Sequence, residues 1–230
     1  MSTRPLTLAL VALLAACGRG EETSDFPEPH RPVAALSSRY LNEDARDSVG
    51  EFDRVTRLAE VAPRMSVADI GAGEGYYTVR LSPMVGSKGR VLAEDIVQGT
   101  INALAQRVQR ERLDNVAIKL GQPGDPQLPA GSFDRVFMIH MYHEIARPSE
   151  FLWNLRPALK SSGRVIVVDA DRPTQSHGTP PPLLLCEFRA VGYELTRFER
   201  LPESESYFAQ FEARGPRPEP RDIPDCPGPS

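Results

Sequence analysis

Three glycines at alternate positions, Gly71, Gly73 and Gly75, follow Asp69 in the run Val67-Ala-Asp-Ile-Gly-Ala-Gly-Glu-Gly-Tyr-Tyr-Thr78. Without a Cβ, such a turn lets the backbone pass close to a bound molecule. The apolar residues before it read as a buried strand and those after it as a helix. The first N–H groups of that helix and its positive dipole end favour a polar ligand. About twenty residues beyond the last glycine stands Asp95, at the end of a second apolar strand. An acid in that place can accept hydrogen bonds from both hydroxyls of a ribose. The dinucleotide fingerprint G-x-G-x-x-G wants its last glycine at position 76, which is Tyr76. The spacing therefore disfavours a nicotinamide oxidoreductase.

A second group of reactive side chains lies in His140-Met-Tyr-His-Glu-Ile145, where a fourth strand ends. One of His140, His143 and Glu144 is a candidate general base for a substrate O–H or N–H. The competing reading is that they cap the following turn and shape a pocket. The spacing is not H-E-x-x-H, so a zinc protease site is rejected and no metal is expected. After the fifth strand, Asp169-Ala-Asp171-Arg172 faces the same edge, to touch substrate or to pair in solvent. Glu94 adjoins Asp95, but strand alternation turns it the other way, which suggests a solvated or helix-paired acid. Trp153 is expected in the core.

The pattern Asp-x-Gly-x-Gly-x-Gly with a downstream acid resembles motif I and its partner acid in the class I S-adenosylmethionine-dependent methyltransferases. Leu128-Pro129 and Ser132-Phe133-Asp134 are similar to the stretch before strand four in that family. The resemblance covers about Asp44 to Ala213. It implies S-adenosylmethionine as cofactor, held by Asp69, Gly71, Ala72, Gly73 and Gly75 in the loop, by Asp95 and Ile96 after strand two, and by Gln122 after strand three. The family commonly has an acid where this chain has Gln122. A Gln carbonyl can still accept from an exocyclic amine, and Asp125, three residues on, either shares that contact or only caps the loop.

These residues need a scaffold that brings strand ends to one edge. Apolar residues at helical spacing over 43–62 predict a leading helix ended by Pro63. Strands are expected at 65–70, 90–96, 116–120, 132–140 and 164–169, the fourth a continuous apolar run buried on both faces. Helices are expected from Glu74 to near Pro83, around Ile101–Val108, from Phe151 to Ser162-Gly163, and over 182–190. Residues 193–201 and 206–213 read as a closing hairpin. Strand–helix alternation gives an α/β, doubly wound, mostly parallel sheet. The resemblance makes it Rossmann-like and seven-stranded, in the order 3-2-1-4-5-7-6 with a terminal antiparallel hairpin.

The chain has 230 residues, 40% hydrophobic and 25% charged, which fits one α/β domain with short appendages. A net charge of −4 without a basic run excludes nucleic acid as an expected partner. The apolar run Pro5–Ala16 is too short to span a bilayer and has the flanks of a secretory signal. Leu14-Ala15-Ala16-Cys17 resembles the lipobox of bacterial lipoproteins. That resemblance implies a signal peptide over 1–16, a lipid on Cys17 and an exported, membrane-anchored protein. Without that signal the chain reads as cytoplasmic. Residues 17–42 read as a polar tether, 43–213 as the methyltransferase-like domain, and 214–230 as a Pro-rich tail that does not order. With Cys226 in that tail, a Cys186–Cys226 bond is not expected, although export permits one. The resulting expectation is a methyltransferase acting on a small molecule. The alternative is an exported protein of the same fold that binds a nucleoside-like ligand without catalysis. The oligomeric state is left open.

Overall fold

A computed structural model describes residues 24–36 and 42–228. The signal-peptide and Cys17 expectations fall outside these residues. Seven strands form one sheet in the order β3-β2-β1-β4-β5-β7-β6. The strands are β1 Ser66–Ile70, β2 Arg90–Asp95, β3 Val116–Leu120, β4 Phe133–Ile139, β5 Leu159–Ala170, β6 Tyr193–Leu201 and β7 Ser206–Ala213. The first five pair in parallel, and β7 runs antiparallel to both β5 and β6. Chain order reverses between β1 and β4, which opens a crevice at their carboxyl ends.

Helices α1 Glu43–Ser48, α2 Glu51–Leu58, α3 Tyr76–Val85, α4 Gln98–Glu111, α5 Pro148–Leu155 and α6 Pro181–Ala190 fill the crossovers and flanks. Strand alternation divides the core. Val67, Phe137, Ile166 and Val168 face Phe52, Val55, Tyr77 and Leu81 of α2 and α3. Ala68, Val136, Met138, Val165 and Val167 face Phe151, Leu152, Leu184 and Phe188 of α5 and α6. Among the described residues, no helix is long and apolar enough to cross a membrane.

Several expectations are corrected. The leading helix is two helices, because Gly50 takes a left-handed φ of 62° between them. Helix α3 passes through Pro83 and ends at Gly86; so near the helix end the ring removes only one late hydrogen bond. Strand β5 starts at Leu159, not at 164. A register shift opposite Phe133 absorbs the turn at Gly163, where any Cβ would press on the Phe133 carbonyl.

The two terminal segments are the larger correction. The expected tail packs along α5 and α6, with Ile223 buried and a disulfide between Cys186 and Cys226. Arg156 donates to the carbonyls of Arg214, Gly215 and Pro216. Trp153, half-buried and packed against the core as expected, donates its Nε1–H to Pro218 at 2.8 Å and takes Phe26 edge-on. Within the expected tether, Arg31 is buried and pairs with Glu187 at 3.2 Å. Proline-rich composition suggested disorder; side-chain donors on α5 and just after it, Trp153 and Arg156, satisfy the backbone carbonyls of the tail and overcome it.

Candidate functional site

A cavity of about 670 Å³ opens at the carboxyl ends of β1, β2 and β4. Its floor is the glycine loop, Ile70 to Glu74 with Tyr76. One wall carries Glu94, Asp95, Ile96, Val97 and Gln122, and the other Ile139, His140, Met141, Glu144 and Ile145. Asn42, Glu43 and Arg46 of the leading helix and Val33, Ala34 and Leu36 of the N-terminal segment close it from above.

The loop is shaped by its glycines. Gly71, Gly73 and Gly75 have φ of 65°, 55° and 89°, a region that L side chains avoid. They differ in what surrounds them. A Cβ on Gly73 meets nothing within 4 Å, whereas one on Gly75 would lie 2.4 Å from Leu104 of α4. Gly73 therefore faces the open cavity, and Gly75 lets α4 pack against the start of α3. Gly75 and Asp69 lie behind the cavity wall rather than in it. Asp69 is buried and accepts the Thr78 hydroxyl at 2.6 Å. Burial pushes its carboxyl up to about 6, against the lowering effect of Thr78.

Asp95 stands where sequence placed it. Its two oxygens accept the Gly73 N–H at 3.0 Å and the Val97 N–H at 2.9 Å. Each keeps a lone pair for the cavity, so one carboxylate both fixes the loop and offers acceptors to a diol. Glu94 is not solvated: it is 2% exposed and lies over Gly121. Burial, with the neighbouring Asp95 charge, raises its carboxyl to about 8. Gln122 lines the cavity. Asp125 does not, and caps its own loop by accepting the Gln127 N–H at 2.7 Å.

The histidine cluster divides. His140 follows β4 with a φ of 56°, a left-handed conformation that costs about 1–3 kcal/mol. Its Nε2 lies 3.1 Å from Glu51 of α2, and burial lowers its imidazole, with Glu51 pulling the other way. Glu51 also accepts from Arg46 at 2.6 Å and Tyr77 at 3.2 Å. Burial pushes Glu51 up, but the His140 hydrogen bond and the Arg46 charge outweigh it and hold the carboxyl at about 2. A neutral imidazole donating to an ionised Glu51 satisfies both directions. His143 lies behind the wall, its Nδ1 3.0 Å from Asp169. Asp169 is fully buried, and Asp171 pairs with Arg200 at 2.7 Å rather than with Arg172.

Three features were missed in sequence. Arg46 reaches the cavity beneath its ion pair and stacks on Tyr76, 3.8 Å from the ring centroid. Asn42 accepts the Ala45 N–H at 2.8 Å, the cap that starts α1. Val33, Ala34 and Leu36 come from the presumed tether. An Asn immediately before the helical run was a readable cap signal; nothing in the sequence marked residues 33–36 as a wall.

Residues 67–163 match a family model described as a methyltransferase domain. Nocamycin O-methyltransferase from Saccharothrix syringae is 34% identical over 83 residues, which are 36% of this chain and 30% of that protein. Demethylmenaquinone methyltransferase from Bacillus cereus is 23% identical over 152 residues, 63% of either chain. This chain thus spans less than two thirds of either relative. A SAM-dependent methyltransferase structure from Aquifex aeolicus superposes with a TM-score of 0.67 at 22% identity, covering 75% of this chain and 98% of that one. The matched segment and the fold shared with that structure support a class I methyltransferase domain as the framework of this cavity.

Proposed function

We propose that the chain transfers a methyl group from S-adenosylmethionine to a small-molecule acceptor. The observation that carries this reading is the double anchoring of Asp95 on Gly73 and Val97, which presents a carboxylate to the cavity beside an open glycine. The residues fit the cofactor. Asp95 offers acceptors for ribose hydroxyls, Gly73 leaves room for close approach, and Arg46 puts a guanidinium, paired with Glu51, on the cavity lining. When bound, S-adenosylmethionine supplies an electrophilic methyl on a sulfonium. The chain must then orient the acceptor and exclude water. Val33, Leu36, Met141, Ile145 and Phe151 give that part of the cavity an apolar lining, suited to a small apolar acceptor. Relatives named for nocamycin and demethylmenaquinone point the same way. His140, held by Glu51, and Glu144 both line the cavity and are the two base candidates there.

Calorimetry with S-adenosylmethionine, its demethylated product and NAD tests the reading. Binding of the first two without NAD is expected. Asp95→Ala should weaken it by roughly tenfold to over a hundredfold, as expected for a hydrogen bond to a charged group. Unchanged affinity in that variant removes the assignment.

The proposal extends to location. A lipid on Cys17 and export are supported by the lipobox-like run and by the Cys186–Cys226 disulfide, a bond typical of oxidising compartments. Palmitate labelling of the wild type that persists in Cys17→Ser would refute the anchor.

A further inference from the structure

At the cavity margin, His143, His177 and Asp169 gather around Glu144, which also lines the cavity. His143 is 2% exposed. Its Nδ1 lies 3.0 and 3.1 Å from the two oxygens of Asp169. Asp169 is fixed in turn by the Thr179 hydroxyl at 2.8 Å and the Ala170 N–H at 2.9 Å. Those bonds leave the Asp169 carboxylate acting as acceptor, so Nδ1 carries the hydrogen and Nε2 presents a lone pair. Nε2 lies 4.0 Å from Glu144 Oε1, beyond hydrogen-bond range. The His177 ring stands perpendicular to His143, with centroids 5.4 Å apart. One ligand atom from each of His143, Glu144 and His177 lies within 4.8 Å of the others.

We propose that His143, Glu144 and His177 bind a divalent transition-metal cation, with Zn²⁺ as the ion of choice. Two imidazoles and a carboxylate are a zinc donor set, and ligands on tetrahedral zinc stand about 3.4 Å apart for bonds near 2.1 Å. The three atoms need to close by roughly an ångström to reach that spacing. A carboxylate behind the ligating imidazole is the arrangement that fixes a metal-bound histidine, and Asp169 supplies it. Glu144 and Asp169 together offset the two positive charges. His177 sits on an exposed turn after Thr174–Ser176, so its ring can close on the ion without disturbing the core. Three protein ligands leave a position for water or a substrate atom. Glu144 also lines the cavity, which puts the ion at the cavity margin. The site stands on its own geometry and does not depend on the methyltransferase reading.

Equilibrium dialysis of the purified chain against Zn²⁺, after stripping with chelator, tests this. One tightly held Zn²⁺ per chain is expected, not displaced by Mg²⁺, which prefers oxygen donors. His177→Ala should lose that equivalent while keeping the wild-type circular dichroism spectrum and affinity for S-adenosylhomocysteine. Asp169→Asn should weaken binding by about tenfold to a hundredfold, and His30→Ala, far along the chain beside Asp225, should not change it. Co²⁺ in place of Zn²⁺ should give visible absorption bands that His177→Ala abolishes. A wild-type chain that holds less than one Zn²⁺, or a His177→Ala variant that holds it as tightly, overturns the site.

Discussion

His140 Nε2 lies 3.1 Å from Glu51 Oε2, which ties the end of β4 to helix α2 across 89 residues of chain. Glu51 gathers Arg46 and Tyr77 as well, so one carboxylate holds the leading helices against the sheet and over the cavity. Removing it leaves the partly buried Arg46 guanidinium and the buried Tyr77 hydroxyl without their acceptor. Glu51→Ala should cost about 3–5 kcal/mol in urea unfolding, the usual penalty for breaking a buried pair from one side. The pH dependence has a definite sign. The folded carboxyl titrates at about 2 against an ordinary 4.5, so its contribution is present above 4.5 and is lost as pH falls toward 2. Glu51→Gln should flatten that acid limb by up to about 1.4 kcal/mol per pH unit. An acid limb of unchanged slope would show that Glu51 is not held in its ionised form.

Gly73 and Gly75 look alike in sequence and should respond differently. Both have positive φ, so either alanine carries a backbone penalty of about 1–2 kcal/mol. At Gly75 the added Cβ also lies 2.4 Å from Leu104, and α4 must shift or Leu104 must leave its rotamer. Gly75→Ala should therefore be the less stable variant by about a further 1–3 kcal/mol. Gly73→Ala keeps the fold but puts a methyl group into the cavity, and should weaken S-adenosylhomocysteine binding more than it lowers stability. Thermal melts and calorimetry on the pair check this. The reverse ranking would mean that Gly75, not Gly73, is the residue a ligand approaches.

Glu94 provides a pH prediction of opposite sign. Its Oε1 has no hydrogen-bond partner among the described residues, and burial beside Asp95 raises the folded carboxyl to about 8 from 4.5. The unfolded chain releases this proton near 4.5, while the folded chain keeps it until about 8. Stability should then fall as pH rises across that window, by up to about 1.4 kcal/mol per unit. Glu94→Gln keeps the shape of the protonated acid and removes the titration. Its advantage over the wild type in urea should grow from pH 5 to pH 8. Parallel profiles for the two proteins would mean that Glu94 is ionised in the folded chain.

What the sequence revealed, and what it hid, follows from the range of each interaction. The strand order was implied by a family resemblance. The glycine loop and Asp95 were legible because they lie within one βαβ unit, where spacing alone fixes the geometry. Glu94 was misplaced, because alternation says which face a side chain takes but not whether a neighbouring strand covers it. Gly121, with no side chain, leaves the space that Glu94 fills. Glu51 was unreadable as a site residue, since its partners lie at 46, 77 and 140. The packing of the terminal segments was hidden for the same reason: Arg31, Trp153 and Arg156 show no local pattern that announces a distant carbonyl or carboxylate.

The last of these relationships is covalent. Cys186 on α6 and Cys226 are 40 residues apart in sequence, and closing a loop of that length in the unfolded chain is worth about 4 kcal/mol in the chain-entropy account. The bond ties the C-terminal segment to α6, one residue from Glu187, which holds the N-terminal segment through its buried pair with Arg31. Cys226→Ser should lower stability by about 2–4 kcal/mol, a fall in Tm of roughly 4–16 °C for a chain of this size. Reductant should shift the wild type by the same amount and leave Cys226→Ser unmoved. The comparison separates the bond from the packing around it. If reductant leaves the wild-type Tm in place, Ile223, Trp153 and Arg156 hold the segment without the cross-link. The disulfide would then no longer support an oxidising compartment for this protein.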